Sequence, residues 1–311
     1  MKKYVKLIII LIISIIALIS IYMYKNIKTL TYKEDNIDFK EIKEDLKEEN
    51  LKEKEDTINI LLIGTDKREE SERGRADSII IGTLDNKNNK IKLTSILRDT
   101  YVDIYNHDKD KINSAYSFGG ANLLCDTIYR NLNIKIDKYI EINFWGFEEV
   151  IDKLGGVEIE VKDYEIKEIN KYIGEFNEEK SKKLEKRGRQ ILDGQQTLAY
   201  ARIRKVGDGI YERDERQRRV LKLLFEKLKN INPIEYPSLI STALENIQTN
   251  IEPVTLLKYL YFAYKINDSN IEQIQIPTKE YSEGKLYKGK WVILMDKEKN
   301  SEIINKFIYE N

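Results

Sequence analysis

A single cysteine, Cys125, and a single histidine, His107, occur in the 311 residues. The first excludes an intramolecular disulfide, and the second excludes a His-rich metal site or a mechanism built on two imidazoles. Excess charge of either sign is also missing, since Lys plus Arg and Asp plus Glu both number 53. No global field draws the chain toward DNA or an anionic surface, so any anion site must be local. Chemistry is left to carboxylates, arginines, lysines and hydroxyls. Neither an internal repeat nor a second domain boundary is visible, while the 41% hydrophobic content supports a real core.

One apolar run is long enough to matter for topology. No charge occurs from Leu7 through Tyr24, and lysines flank the run at Lys2, Lys3, Lys6 and Lys25. As a helix this run spans about 27 Å, close to the roughly 30 Å hydrocarbon core of a bilayer. A cleaved signal peptide is the competing reading, but its apolar region is shorter and ends in small residues. Here "ALISIYMYK" ends in bulky residues with tyrosines at the interface. Residues 7–24 therefore read as an uncleaved signal anchor. The N-terminal lysines keep residues 1–6 in the cytoplasm and place the rest of a single-pass membrane protein outside the cell. Residues 25–56, highly charged with only a sparse apolar stripe, read as an extracellular stalk.

From Thr57 the pattern changes to short apolar runs bounded by polar turns. "INILLIG" (58–64), "SIIIGTL" (78–84), "KIKLTSIL" (90–97), "KYIEINF" (138–144) and "VEIEV" (157–161) read as strands by length and β-branching. Helical spacing appears at 121–132, 146–154, 193–201, 212–229, 234–247 and 253–266. Interleaved strands and helices give an α/β domain over 57–311. The late strands "IEQIQI" and "KWVILM" and a terminal helix are expected to complete the same sheet and core. Residues 162–190 are polar and read as an exposed excursion.

The second and third strands are separated by "DNKNN" and read as an antiparallel hairpin, which brings Arg75 and Asp77 beside Arg98 and Asp99. If the first strand is also antiparallel to its neighbour, Asp66 and Arg68 fall on the same edge. A parallel pairing would send Asp66 to the far side. Taken singly, such Asp and Arg pairs are surface ion pairs worth about 0–1 kcal/mol. Converged, they suit a divalent cation bridged to phosphate oxygens, because Mg²⁺ prefers one or two carboxylates plus substrate phosphates, while arginine holds phosphate bidentately.

Six of the thirteen arginines fall in "ARIRKVGDGIYERDERQRRV" (201–220). A dense basic run invites nucleic acid, but an extracellular domain faces away from the chromosome, so no nucleic-acid partner is expected. Arg202 and Arg204, two apart in an extended segment, would share one face as a two-pronged clamp. Arg213 and Gln217 lie four apart and continue into Val220, Leu221, Leu224 and Leu228, so they point inward. Arg216, Arg218 and Arg219 read as the solvated face. Cys125 reads as core, His107 as exposed, and "SFGG" (117–120) as a turn before a helix.

In order, "NILLIGTDKR", "GRADSI", "KLTSILRDTYVDI", "KINSAYSFGG", "IEINFWGFEEVIDKLGGVEI", "LDGQQTLAYARIRK" and "ERDERQRRVL" strongly resemble the LytR-CpsA-Psr family of cell-wall assembly enzymes over about residues 57–225. The resemblance implies an α/β/α sandwich with a central mixed, partly antiparallel sheet and an apolar pocket for a lipid tail. It implies a transferase that moves an anionic glycopolymer, of teichoic acid or capsule type, from a polyprenyl pyrophosphate carrier to peptidoglycan through a phosphodiester bond. The family's acidic metal positions fall on Asp66 and Asp77, and its pyrophosphate-binding arginines on Arg75, Arg98, Arg202 and Arg204. Arg213 and Gln217 match the pair on the following helix. Asp66, Asp77 and Asp99 remain alternatives for the base, and Asp66, Asp77, Arg98 and Asp99 are the expected catalytic group with Mg²⁺. The family's usual Pro-Arg-Asp-Thr reads Leu97-Arg98-Asp99-Thr100 here, which is expected to leave the strand end less constrained. A cell-surface scaffold that binds wall polymer without turning it over is the competing function.

Overall fold

The computed structural model describes residues 57–67, 74–177, 179–232, 235–267 and 270–310. The expected anchor at 7–24 and stalk at 25–56 lie outside the described residues. Among those described, no helix is long and apolar enough to cross a membrane.

The chain runs β1 (Thr57–Thr65), β2 (Ala76–Asp85), β3 (Lys90–Ile96), β4 (Tyr101–Val102), β5 (Asp110–Lys111), α1 (Ile112–Leu132), β6 (Lys138–Asn143), α2 (Phe144–Lys153), β7 (Val157–Val161), α3 (Asp163–Tyr172) and β8 (Gly188–Leu192). It continues through α4 (Gly194–Ala201), α5 (Ile210–Lys229), α6 (Tyr236–Glu245), β9 (Ile247–Thr249), α7 (Pro253–Lys265), β10 (Ile271–Ile276), β11 (Ser282–Tyr287), β12 (Lys290–Met295) and α8 (Lys297–Tyr309).

Six strands form the central sheet in the order β10-β3-β2-β1-β6-β9. Pairing is antiparallel for β1 with β2, β2 with β3 and β6 with β9, and parallel for β1 with β6 and β3 with β10. The expected mixed sheet is therefore present. This order sends the C-terminal ends of β1, β3, β6 and β10 and the N-terminal end of β2 to one edge.

Alternation along the strands splits the core in two. Leu61, Ile63, Ile79 and Ile81 face one side and pack with Leu124 and Ile128 of α1 and Ile304 and Ile308 of α8. Ile60, Ile80 and Leu93 face the other and pack with Leu256 and Ala263 of α7, with Leu221 and Phe225 of α5 against them. Helices thus cover both faces of the sheet, the sandwich that the resemblance implies. A third cluster, with Ile151, Ile159, Ile169, Tyr200 and Val220, gathers α2 to α5 and the β7–β8 strand pair.

Three expectations need correction. "KWVILM" does not join the central sheet. It pairs with β11 in a separate antiparallel hairpin, whereas "IEQIQI" does join the sheet, beside β3. "VEIEV" likewise pairs with β8 outside the sheet. The excursion at 162–190 holds α3, whose Glu165 and Ile169 are fully buried, so its polar composition conceals an inward stripe. "SFGG" lies inside α1, which kinks at Gly120, where φ is 69° and ψ −157°. Only glycine adopts that backbone readily, and it breaks α1 into two segments, so the expected helix from Ala121 does start after a turn, although residues 117–119 belong to a helical segment before it. Cys125 is fully buried and His107 exposed, as expected.

Candidate active site at the sheet edge

Asp77 occupies an irregularity in the β1–β2 ladder. Gly64 pairs with Ser78 and Thr65 with Ala76, leaving Asp77 as the extra residue between them. Such bulges re-aim a side chain and recur beside active sites. Gly64 makes the close approach possible, since a Cβ there would stand 3.0 Å from the Ser78 Cβ.

Three guanidiniums converge on the bulged carboxylate. Arg98, two residues past the end of β3, donates from Nη1 to Oδ1. Arg204 donates from Nη2 to Oδ2 at 3.3 Å. Arg213, in the first turn of α5, lies 3.5 Å from Oδ2 and donates to the Asp77 main-chain carbonyl at 2.8 Å. Burial alone would raise the Asp77 carboxyl, but Arg213, Arg98 and Arg204 together outweigh it and hold it below the ordinary range. One carboxylate cannot neutralise three cations. Burial, together with Arg204 and Arg98, draws Arg213 down to about 10, and burial with Arg98 lowers Arg204. Arg98 Nε and Arg213 Nε are also buried without a hydrogen-bond acceptor among the described residues. The cluster thus carries unspent positive charge and unspent donors, the properties of an anion cradle.

The flanking carboxylates are held differently. Asp99 binds Lys111 Nζ at 2.7 Å through Oδ1 and faces Arg98 Nε at 3.7 Å through Oδ2. Asp66 accepts the Arg75 backbone N–H at 2.5 Å through Oδ1, so the end of β1 does converge with the start of β2. The intervening Gly74 has φ of +43°, and a Cβ on it would lie 2.9 Å from Asp66 Oδ1, so glycine is needed for this closure. The Arg75 side chain is exposed at the rim. Arg68 lies outside the described residues. Leu97 proves a constraint rather than a loss: its N–H, which proline would lack, donates to the Ile276 carbonyl at 2.8 Å and ties β3 to β10 just before Arg98.

Arg202 departs from the expected clamp. It caps α4 with φ −100° and ψ −4° instead of entering an extended segment, so it and Arg204 diverge. Its guanidinium binds Glu175 at 2.8 Å and lies 4.9, 5.1 and 4.7 Å from the ring centres of Phe144, Tyr172 and Phe176. It stands at an apolar cavity of about 210 Å³ lined by Leu62, Ile80, Ile142, Leu198 and Val220, which also reaches Asp77, Arg213 and Gln217. Gln217 Nε2 donates to the Ala201 carbonyl at 3.4 Å across this cavity's wall. A second cavity, of about 260 Å³ between α5, α6 and α7, shares Ile140 and Ile247 with the first. Charge at the sheet edge and an apolar path behind it suit an amphiphile with an anionic head.

Two of the three arginines read as surface are not. Arg216 is fully buried, donating from Nε to Glu165 Oε1 at 2.8 Å and from Nη1 to the Ile203 carbonyl at 3.4 Å, with Glu212 2.9 Å from Nη2. Arg218 is buried and donates to Gln273 of β10 at 3.3 Å. Only Arg219 is half-exposed, bonded to Glu215 and the Tyr200 hydroxyl. Asp214 is buried too, and burial raises its carboxyl to about 6 despite Arg213, Arg218 and Arg98 nearby.

A model of the LytR_cpsA_psr family matches residues 20–308. The chain belongs to the LytR-CpsA-Psr family. It is 37% identical over 182 residues to the polyisoprenyl-teichoic acid–peptidoglycan teichoic acid transferase TagV of Bacillus subtilis (strain 168), covering 56% of this chain and 44% of that protein. It is 32% identical over 213 residues to the corresponding transferase TagT of the same strain, covering 68% of this chain and 63% of that protein. The matched region is thus under two thirds of either relative's length. Its fold is similar to a LytR-CPS2A-psr family protein, TagT, solved with bound octaprenyl pyrophosphate lipid, with TM-score 0.62, 26% identity and coverage of 84% of this chain and 92% of that one.

The metal implied by the family can be weighed against the donors present. Among the described residues no group of three or more His, Cys, Asp and Glu could hold a metal ion, so none of these residues forms an all-protein cage. Asp66 and Asp77, on neighbouring strand ends, supply the one or two carboxylates that Mg²⁺ takes alongside phosphate oxygens, and the arginines keep Asp77 ionised. The donor set fits.

Proposed function

We propose that this protein transfers an anionic glycopolymer from a polyprenyl pyrophosphate carrier to peptidoglycan, forming a phosphodiester bond. The observation that carries this reading is the convergence of Arg98, Arg204 and Arg213 on the single Asp77 carboxylate at the mouth of an apolar cavity. An isoprenoid tail would occupy the cavity, and the pyrophosphate would take up the surplus donors. The relatives' names and the lipid bound to TagT support the same donor chemistry.

In the proposed reaction a saccharide hydroxyl of the acceptor attacks the phosphorus on the glycan side. The bond from that phosphorus to the bridging oxygen breaks, and polyprenyl phosphate leaves. The guanidiniums neutralise charge that develops on the transferring and leaving phosphates, so catalysis is mainly positioning and electrostatics. The hydroxyl proton passes to a carboxylate at the same edge. Asp77 is a poor acceptor, because three guanidiniums keep it ionised, which leaves Asp66 and Asp99 as the candidates. Mg²⁺ held by Asp66 and Asp77, when bound, would supply further neutralisation of the pyrophosphate. Capsule polymer remains an alternative to teichoic acid, and the N-terminal anchor at 7–24 would set the domain on the outer face of the cell membrane.

The test is a transfer assay with the purified full chain, Mg²⁺, a synthetic lipid-pyrophosphate glycan and a peptidoglycan oligomer. A new phosphodiester product that disappears in Arg98→Ala is expected. Donor binding with no product from any of several glycans would instead make the protein a scaffold.

A further inference from the structure

The β11–β12 hairpin carries large exposed apolar groups. Leu286 is 71% exposed, Trp291 51% and Tyr287 37%. Residues paired across an antiparallel ladder share a face. Leu286 pairs with Trp291, and Gly284 with Ile293, so these four lie on one face. A Cβ on Gly284 would stand 2.7 Å from the Trp291 ring. Glycine therefore lets the indole lie down on the ribbon, with half of the residue open to solvent. The turn is fixed by Lys288 and Gly289, with φ of 47° and 77°. Two positive-φ residues make the tight turn that matches strand twist.

This platform is joined to the active edge. The Ile293 N–H donates to the Asp99 carbonyl at 2.9 Å, and Ile293 bridges to Thr100. Tyr287 meets Tyr101 edge to face, with ring centres 5.3 Å apart. Trp291 lies only two residues from Ile293, about 7 Å along the strand. At the hairpin's base, the Ser282 and Tyr211 hydroxyls are 3.5 Å apart, linking it to α5.

Charge selects the occupant. Lys285 pairs with Glu283 at 3.4 Å and Lys290 with Asp110 at 2.9 Å, while Lys288 lies 5.6 Å from the Tyr287 ring centre. Most of the local positive charge is thus spent, so an anionic polymer gains little here. An aromatic face does attract the weakly positive C–H groups of a sugar ring. Aliphatic surface for insertion into lipid is limited to Leu286, bordered by charged residues.

We propose that the Trp291–Leu286 face of the hairpin is the platform on which the neutral glycan backbone of the acceptor lies, setting its hydroxyl toward the Arg98–Asp99 edge. This rests on the transfer reading above and adds the acceptor's binding site. Trp291 acts as a positioning residue, away from the reacting atoms.

The test uses the full chain in detergent, with saturation-transfer NMR on an N-acetylglucosamine tetramer and transfer kinetics on soluble glycan strands. In Trp291→Ala the tetramer signal should vanish and the acceptor KM rise about tenfold, with donor KM and saturated kcat unchanged. Trp291→Tyr should restore most of both. Unchanged tetramer contact and acceptor KM in Trp291→Ala would overturn the proposal. So would quenching of Trp291 by brominated lipid vesicles without tetramer contact, which would make the hairpin a membrane face, or binding of a glycerol-phosphate oligomer in place of the tetramer. Absence of transfer in the wild-type protein would defeat the transferase reading, while the NMR result would still decide whether the hairpin holds saccharide.

Discussion

Arg213 and Arg216 sit three residues apart on one helix and are both buried, yet they belong to opposite kinds of charge cluster. Arg216 meets two carboxylates, Glu165 and Glu212, and a main-chain carbonyl. Arg213 shares one carboxylate with two other arginines, and its Nε is left without an acceptor. The first cluster is neutralised by the protein's own carboxylates, although Arg216 Nη2 faces Glu212 without hydrogen-bond geometry, and it braces α3, α5 and the loop that carries Arg204. The second gathers three guanidiniums on one carboxylate and opens to an apolar cavity. Buried charge is costly unless compensated, so the uncompensated cluster is the one that awaits an external anion.

The largest effect should come from removing the anion already present. Asp77→Ala leaves Arg213 buried beside two further cations and should cost about 3–5 kcal/mol in denaturant unfolding, with transfer activity abolished. Because Asp77 is held below its ordinary range, its stabilisation should be full above the unfolded value near 4. It should disappear as pH falls through the lower folded value. An Asp77→Ala protein as stable as wild type at pH 7 would break the comparison.

Arg216→Met should cost a similar 3–5 kcal/mol, because Glu165 is left buried with its charge uncompensated. The protein that remains folded should bind inorganic pyrophosphate normally, which calorimetric titration would check. A smaller effect of the converse kind is expected from Leu221→Trp, which fills the first cavity. Affinity for a long polyprenyl pyrophosphate should fall about tenfold while inorganic pyrophosphate binds as before. The smallest effect concerns Asp214. A carboxyl raised to about 6 holds its proton in the folded state above the unfolded pKa near 4, so its contribution to stability falls as pH rises from 4 to 6. The stability difference between wild type and Asp214→Asn should therefore change across that window and stay level above it. Thermal melts at closely spaced pH values would show it.

Much of this arrangement was legible in the chain. Alternation fixed which strand faces are apolar, and the short "DNKNN" link predicted the hairpin that brings Asp77 to Arg98. The convergence of Asp66 required an antiparallel β1–β2 pair, which local sequence left open and the sheet supplies. The bulge at Asp77 has no local signature, because it is a property of two strands together. The error over Arg216 was avoidable: from Arg213, positions 216, 217 and 220 form one helical stripe, so Arg216 belongs with Gln217 and Val220 on the inward face. Its partner Glu165 was hidden in a polar excursion whose burial depends on α5 packing over it. The helix end at Ala201 was legible, but the separation of Arg202 from Arg204 was not, since it depends on Arg202 keeping a helical cap conformation instead of turning extended. The aromatic residues that receive Arg202 come from two distant segments.

The central claim is that the Asp77 edge is a pyrophosphate cradle. The most direct measurement is calorimetric titration of a short polyprenyl pyrophosphate, and of the matching alcohol, into the full wild-type chain and Arg204→Ala. Arg204 is partly exposed and bonded only weakly to Asp77, at 3.3 Å, so its loss should spare the fold. At about 1.5–3 kcal/mol for a charge-assisted bond, affinity for the pyrophosphate should fall at least tenfold while the alcohol binds both proteins equally. Equal pyrophosphate affinity in the two proteins, or an alcohol that binds as tightly as the pyrophosphate, would contradict the account.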